Sequence, residues 1–176
     1  MIGDKQIIYN DKQYMDIVWD IISNEKVQQM KLYRQHFNVS CFDHCLYVSY
    51  NLYLLCKKFN LDYVSAARAG MVHDLFLYDW RVRQEWRKGY HAFTHPRMSL
   101  LNASKIMKLN ACEKDIIDKH MWPVTIWRIP KYKETFLMVY VDKYAAIMER
   151  KIGRKKVAHY LSKRISEFVR SLKSAL

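Results

Sequence analysis

The stretch AARAGMVHDLFL, residues 66–77, is the most informative part of the chain. Its alanines and glycine are small enough for neighbouring helices to pack closely against it, so we expect a central helix from Tyr63, capped by Asp62, to about Phe76. The stretch also contains the adjacent pair His73 and Asp74, and a charged carboxylate is costly to bury among apolar residues. A divalent cation removes that cost, because imidazole nitrogen and carboxylate oxygen both bind it.

Amphipathic segments separated by short polar breaks lie on both sides of this helix. Residues 78–90 are aromatic and basic, which predicts a loop or short helix on the surface. Residues 135–141 have an alternative interpretation as a strand, but the flanking Lys, Glu and Ala favour a helix. The other predicted helices are about 12–34, 41–59 (capped by Ser40 with Asp43), 96–108 (Pro96 in its first turn), 110–122 (capped by Asn110 with Glu113), 133–150 and the basic segment 154–174.

Length and composition favour one helical domain. The chain has 176 residues, of which 51% are hydrophobic, and only four Gly and three Pro are available for tight turns. We therefore predict an all-α fold, a single compact helical bundle of about seven helices spanning residues 1–176. Its core would be 36–150, with the helices at 12–34 and 154–174 packed on it.

Charge and cysteine content point to the partners and the compartment. The formal net charge is +13, from 30 Lys and Arg against 17 Asp and Glu, which favours anionic partners such as phosphorylated metabolites, nucleotides or nucleic acid. Neither a signal-peptide pattern nor an apolar run of about 18 residues is present, so we expect a cytoplasmic protein without a membrane partner. Cys41, Cys45, Cys56 and Cys112 are expected to be buried thiols, and a zinc site at Cys41 and Cys45 is the alternative.

A second acidic residue, like Asp74, lies among apolar residues, where a charged carboxylate is costly to bury. Asp142 lies inside the apolar run FLMVYVDKYAAIM, residues 136–148. Any single histidine on an apolar face is more often a hydrogen-bonded core residue than a ligand. Two acids in apolar helices, accompanied by histidines, nevertheless indicate one shared cation.

The order His44, then His73-Asp74, then Asp142, each on its own helix, resembles the HD-domain superfamily of metal-dependent phosphohydrolases. The resemblance covers residues 36–150 and extends to the segments SCFDHCLYV (40–48), AGMVHDL (69–75) and Val141-Asp142-Lys143. It implies that His44, His73, Asp74 and Asp142 hold one metal ion.

Two further histidines resemble the ligands of the dinuclear branches of this superfamily. These branches include symmetric dinucleoside-tetraphosphate hydrolases and cyclic-dinucleotide phosphodiesterases. The resemblance implies that Asp74, His95 and His120 hold a second ion. His91 competes with His95, and the position of His95 before Pro96 is closer to the family pattern.

The resemblance implies hydrolysis of a phosphomonoester or phosphoanhydride by metal-activated water. The substrate would be a nucleotide or another phosphorylated small molecule, with one or two divalent transition-metal ions (Fe, Mn, Co, Ni or Zn) as cofactor. Asp74 and Lys143 are the predicted catalytic residues. The predicted substrate-binding residues are Arg97, Arg128, Lys131 and Lys143, each with the alternative of a solvated surface charge.

The resemblance to the HD-domain superfamily is compatible with more than one class of phosphorylated substrate. Trp122 and Trp127 can stack on a nucleobase or simply pack. Leu77 stands where many HD domains carry a lysine, and the Gly-Tyr-Pro signature of the cyclic-dinucleotide enzymes is absent.

Two other classes of protein remain as alternatives. The first is a nucleic-acid-binding protein that uses the basic C-terminal segment, whose apolar stripe is Val157, Leu161, Ile165 and Val169. A docked helix with a solvated outer face accounts for the same pattern. The second is a regulatory HD-fold scaffold with little catalysis.

Overall fold

The computed structural model describes residues 2–35 and 39–152. Within these ranges the chain is all-α, and an isolated bridge between Arg34 and Ser40 is its only β pairing. The predicted fold class is confirmed, and residues 135–141 are helical. The helices are α1 (Ile2–Asn10), α2 (Lys12–Ile22), α3 (Glu25–Gln29) with a following 3-10 turn (Met30–Leu32), α4 (Cys41–Lys58), α5 (Tyr63–Val72), α6 (His91–Ile106), α7 (Ala111–Lys119) and α8 (Lys133–Ile152).

Helix α5 is the centre of the bundle and packs against α2, α4, α7 and α8. Its small residues set the distance to α4. A Cβ atom added to Gly70 would lie 2.8 Å from the Cα atom of Ser49, closer than side chains tolerate. The Ser49 hydroxyl in turn donates to the carbonyl of Ala67 at 2.6 Å. The predicted central helix is confirmed, and so is its close packing.

The predicted caps of α4 and α7 are present. The Ser40 hydroxyl accepts from the backbone N–H of Asp43 at 3.0 Å. Asn110 and Glu113 each accept a backbone N–H from the other at 2.8 Å, which forms a reciprocal capping box. Asp43 does not complete such a box, because its carboxylate pairs with Lys5 at 2.5 Å instead.

Several predicted helix ends are wrong. The helix expected over residues 12–34 is interrupted after Ile22, because the Asn24 side chain accepts from the N–H of Lys26 and starts α3. The helix expected from Pro96 begins at His91, where the side chains of Thr94 and His95 donate to carbonyls of its first turn. Helix α1 was not predicted.

The central helix ends four residues earlier than expected, at Val72. His73 and Asp74 therefore lie in the turn that follows α5, not inside a helix. Leu77 has a positive φ of 56°, which a continuing helix does not allow. This early end lets both side chains project from the end of α5.

The four cysteines are free and buried, as predicted. The Cys41 thiol donates to the backbone carbonyl of Asp74 at 3.1 Å. The groups of converging ligand-type side chains in the described residues contain no cysteine, so nothing there supports zinc at Cys41 and Cys45.

The predicted C-terminal helix, 154–174, lies outside the described residues. The division into a core at 36–150 with added terminal helices stays a prediction, although α2 does pack on α5. No helix in the described ranges combines the length and apolarity needed to cross a membrane.

Candidate metal centre

The six predicted ligands converge on one buried region. They come from five parts of the fold: α4 carries His44, the turn after α5 carries His73 and Asp74, α6 carries His95, the end of α7 carries His120, and α8 carries Asp142. All six side chains are buried. Two groups of three, His44–His73–Asp74 and Asp74–His95–His120, have ligand atoms that all lie within 4.8 Å of one another.

Asp142 adjoins the first group. Its Oδ1 atom lies 3.0 Å from Nε2 of His44 and 3.6 Å from Nε2 of His73. Nε2 of His73 is also 3.4 Å from Oδ2 of Asp74. Four ligand-type side chains therefore face a common point in this half of the site.

Asp74 connects the two halves through its other oxygen. Its Oδ1 atom lies 3.2 Å from Nε2 of His95 and 3.5 Å from Nε2 of His120. The carboxylate thus presents one oxygen to each group.

Backbone carbonyls fix the orientation of three of the histidines. Nδ1 of His73 lies 2.8 Å from the carbonyl of Gly70, Nδ1 of His95 lies 2.8 Å from that of His91, and Nδ1 of His120 lies 2.9 Å from that of Ile117. A carbonyl only accepts, so each Nδ1 carries the proton and the lone pair of the neutral ring is on Nε2. Protein ligands of metal ions are commonly held in this way.

The contact between His95 and His120 requires a positive charge between the two rings. Their Nε2 atoms are only 2.8 Å apart, and two lone pairs at that distance repel each other. Either a proton or a metal cation relieves this repulsion. Burial lowers the pKa of His120, which disfavours a proton on that ring.

Two atoms at the centre of the site favour the metal cation. Nε2 of His73 and Oδ1 of Asp74 are buried and have no hydrogen-bond partner among the described residues. Buried polar atoms are nearly always paired, so such atoms need an explanation. Imidazole nitrogen and carboxylate oxygen suit a divalent transition-metal ion, and the residues present therefore fit such an ion.

Glu149, which was not predicted from the sequence, holds His44 from the side away from the cluster. Nδ1 of His44 donates to Oε1 of Glu149 at 2.9 Å, and Glu149 is fully buried. Burial alone lowers the pKa of His44, but Glu149 and Asp142 outweigh it and raise that pKa well above its usual value. The spacing of seven residues between Asp142 and Glu149, two helical turns, is a signal that could have identified Glu149.

Gln35 is a second residue of the site that was not predicted from the sequence. Its Nε2 atom donates to Oδ2 of Asp74, and its own Oε1 atom is buried without a hydrogen-bond partner among the described residues. Gln35 precedes α4 in a segment without helical periodicity, so nothing in the sequence pattern marked it.

A main cleft of about 640 Å³ opens onto the cluster. Asp74, His95, His120 and Asp142 lie in its wall together with basic and aromatic side chains. Nζ of Lys143 donates to the carbonyl of His120 at 3.1 Å, and burial lowers the pKa of this lysine. The other lining side chains relevant to an anionic aromatic ligand are Trp80, Tyr90, His91 and Arg150.

His91 lies beside the cluster but not in it. Its Nδ1 atom accepts from the hydroxyl of Tyr78 at 3.0 Å, and its ring stacks between Trp80 and His95. Burial lowers the pKa of His91 to about 3. It is His95, and not His91, that groups with Asp74 and His120.

The predicted substrate-binding residues are divided between different surfaces. Lys143 lines the main cleft, whereas Arg97 and Arg128 line a second cleft. Lys131 is exposed, and its backbone N–H donates to Asp115 at 2.9 Å. The roles of these residues stay predictions.

The two predicted stacking residues differ in exposure. Trp122 packs edge-on against Phe136, with ring centroids 5.8 Å apart. Trp127 is exposed and stacks on Phe93.

No protein-family profile, curated protein or solved structure matches the chain. The fold and the site therefore define the class of protein: an all-α bundle with a buried His/Asp cluster that can hold a metal ion, an arrangement compatible with an HD-like fold.

Proposed function

We propose that the chain is a metal-dependent phosphohydrolase of the HD-domain type, acting on a nucleotide or another phosphorylated small molecule. One observation carries the proposal. Six side chains of the types and order expected for this superfamily converge from five parts of the fold, and the Nε2 atoms of the four histidines lie 3.0–3.5 Å from a carboxylate oxygen of Asp74 or Asp142.

His44, His73, Asp74 and Asp142 would hold one ion, and Asp74, His95 and His120 a second. A bound divalent transition metal supplies Lewis-acid activation of the phosphoryl group and of water. Fe, Mn, Co, Ni and Zn all suit mixed nitrogen and oxygen ligands.

The residues of the main cleft would bind and orient the substrate. Lys143 and Arg150 bring positive charge to the cleft wall, which attracts a phosphate group. Trp80 and Tyr90 offer aromatic faces on the same cleft, where a nucleobase can stack. In this role Lys143 would stabilise charge that develops on the phosphoryl oxygens.

The test is metal analysis of the purified protein combined with activity assays after metal loading. Substrates would be nucleotides, dinucleoside polyphosphates and cyclic dinucleotides. We expect bound transition metal and hydrolysis in the parent, and loss of both in Asp74→Asn. Asp79→Asn, which removes a surface carboxylate paired with Arg81, is the control and should keep both. Full metal occupancy in Asp74→Asn would overturn the assignment.

The number of ions is tested separately. If the site is dinuclear, His95→Ala and His120→Ala should each lose about one ion per chain and keep the other. His91→Ala is the control, because His91 stacks on His95 but does not belong to the group formed by Asp74, His95 and His120. A parent that never holds more than one ion under any loading would leave His95 and His120 with other roles, such as proton transfer.

A further inference from the structure

A second cleft, of about 340 Å³, lies on the other side of α6 from the main cleft. His91 and His95 of α6 face the main cleft, whereas Phe93 and Arg97, each about 200° further round the helix, line the second one. The described residues that line the two clefts do not overlap. The second cleft is therefore a separate surface that the proposed hydrolysis does not use.

The charge in this cleft is positive and largely uncompensated. Its described lining includes no Asp or Glu and four cationic side chains: Arg87, Lys88, Arg97 and Arg128. Arg128 pairs with Asp118, and the guanidinium of Arg87 lies 5.5 Å from the ring centre of Tyr78. Lys88 and Arg97 are exposed and form no ion pair within the described part of the chain. A concave surface with this charge attracts anions.

Exposed aromatic rings accompany the charge. Trp86 and Phe93 line the cleft, and these residues are 53% and 41% exposed. Trp127, 68% exposed, stacks on Phe93 with ring centroids 6.0 Å apart and planes at 21°. Rings that stay this exposed are available to a ligand that has its own flat faces. Inorganic phosphate or an acidic peptide would not use them.

The volume of the cleft and the arrangement of its aromatic rings indicate which ligands with both phosphate groups and aromatic rings would fit. A volume of about 340 Å³ is at the lower end of small-ligand pockets, on the order of 300–1,000 Å³, and suits one nucleotide unit. The Phe93–Trp127 pair extends the aromatic surface beyond the cleft lining, where a neighbouring base can stack. Proteins that bind single strands without sequence preference combine a basic groove with such stacking rings.

We propose that this second cleft binds single-stranded nucleic acid. One nucleotide would occupy the cleft against Trp86, its phosphates would contact Lys88 and Arg97, and an adjacent base would stack on Trp127. The proposal does not depend on the metal centre or on hydrolysis.

The experiment is fluorescence anisotropy of the full chain with labelled ten-nucleotide oligo(dT) and oligo(U), in buffer containing a chelator. We expect binding by the parent and by Asp74→Asn. Trp86→Ala and Trp127→Ala should each weaken binding about tenfold, as expected for loss of base stacking. Arg97→Glu should weaken it at least as much and lower the slope of log Kd against log salt by about one or more.

Two matched controls distinguish binding in the cleft from nonspecific binding that is due to the positive net charge of the chain. Lys26→Glu makes the same change of charge at an exposed position on α3, and Trp19→Ala removes a tryptophan that is 60% exposed on α2. Both should bind within about twofold of the parent, a margin well below the expected loss of stacking. Arg97→Lys should keep most of the affinity, and melting curves of all variants should match the parent.

Several outcomes would overturn the proposal. Cleft variants that bind like the parent would place any binding elsewhere, for example on the basic residues beyond 152. A ten-residue poly-glutamate peptide that competes as well as the oligonucleotide would indicate a general polyanion surface. A mononucleotide that competes equally well would indicate a nucleotide pocket rather than a strand-binding cleft. No binding at all would also reject the proposal.

Discussion

Glu149 and Asp142 lie two turns apart on α8, so one face of this helix presents two carboxylates to the same histidine. His44 contacts Asp142 through Nε2 and Glu149 through Nδ1. An anionic partner on Nδ1 orients the ring and makes its other nitrogen a better ligand. Glu149 is thus a positioning residue for His44.

Replacement of Glu149 should lower metal affinity without removing a ligand. We expect Glu149→Gln to bind the metal at the His44 group about 10–100-fold more weakly, because the neutral amide still accepts from Nδ1 but no longer adds charge. Glu149→Ala should bind it more weakly still. Competition with a chromogenic chelator measures the affinity.

Glu134→Gln is the matched control on the same helix. Glu134 is also buried, and it accepts the backbone N–H of Asp62 at 3.0 Å instead of contacting the cluster. The metal affinity of Glu134→Gln should equal that of the parent, even if this variant is less stable than the parent. A Glu149→Gln protein that melts earlier but keeps the parental metal affinity would show that Glu149 only packs.

At the residue scale, the residues that converge on the metal centre were predicted from the sequence, whereas residues that contact them from outside the cluster were not. Asp74 and Asp142 stood out because charged groups among apolar residues require a partner, whereas His44 was expected from the resemblance to the HD-domain superfamily. Gln35 could not be found in this way, since its contact with Asp74 depends on how a nonhelical segment folds back. The sequence also could not predict which cleft Arg97 would line, because there is a cleft on each side of α6.

At the scale of helices, local signals were reliable where side chains bond to the nearby backbone. Ser40 and Asn110 cap α4 and α7 as predicted. The beginning of α6 was wrong because Pro96 is favourable at the first turn but is also accommodated further along, where Thr94 and His95 bond to carbonyls of the first turn. Helix ends that depend on tertiary contacts are not encoded in a short window of sequence.

The packing of α5 on α4 depends on Gly70. Alanine at this position favours the helix by about 1 kcal/mol at most. Overpacking typically costs about 1–3 kcal/mol, and here the added Cβ meets the backbone of Ser49 at 2.8 Å, which cannot move without shifting α4. We therefore expect Gly70→Ala to lower the free energy of unfolding by about 1–2 kcal/mol in denaturant titrations.

Val64→Ala is the control for Gly70→Ala, because Val64 is exposed on the same helix. Its free energy of unfolding should stay within about 0.5 kcal/mol of the parent. A Gly70→Ala protein as stable as the parent would mean that α4 and α5 separate at little cost.

Across the whole molecule, ligand-type side chains from α4, the turn after α5, α6, the end of α7 and α8 converge at one place, and three buried carboxylates lie there: Asp74, Asp142 and Glu149. Burial of so much negative charge is costly unless positive charge accompanies it. In the absence of metal this charge must come from the histidines, and the pKa values of His44 and His73 are raised, because neighbouring anionic groups outweigh the lowering effect of burial. A metal ion would compensate the same carboxylates and connect the helices to one another.

The stability of the folded chain should therefore depend on the metal. A ligand that binds only the folded state at a free concentration of 100 times its Kd adds about 2.7 kcal/mol. For a chain of this size that corresponds to a shift of roughly 5–10 °C in melting temperature. We expect the metal-loaded parent to melt higher than the same protein after chelation, with metal loss verified by elemental analysis. Asp74→Asn should melt at one temperature with or without chelator, because it cannot hold the metal. A parent whose melting temperature does not change after verified metal loss would show that the helices assemble around His44 and Asp142 without help from a bound ion.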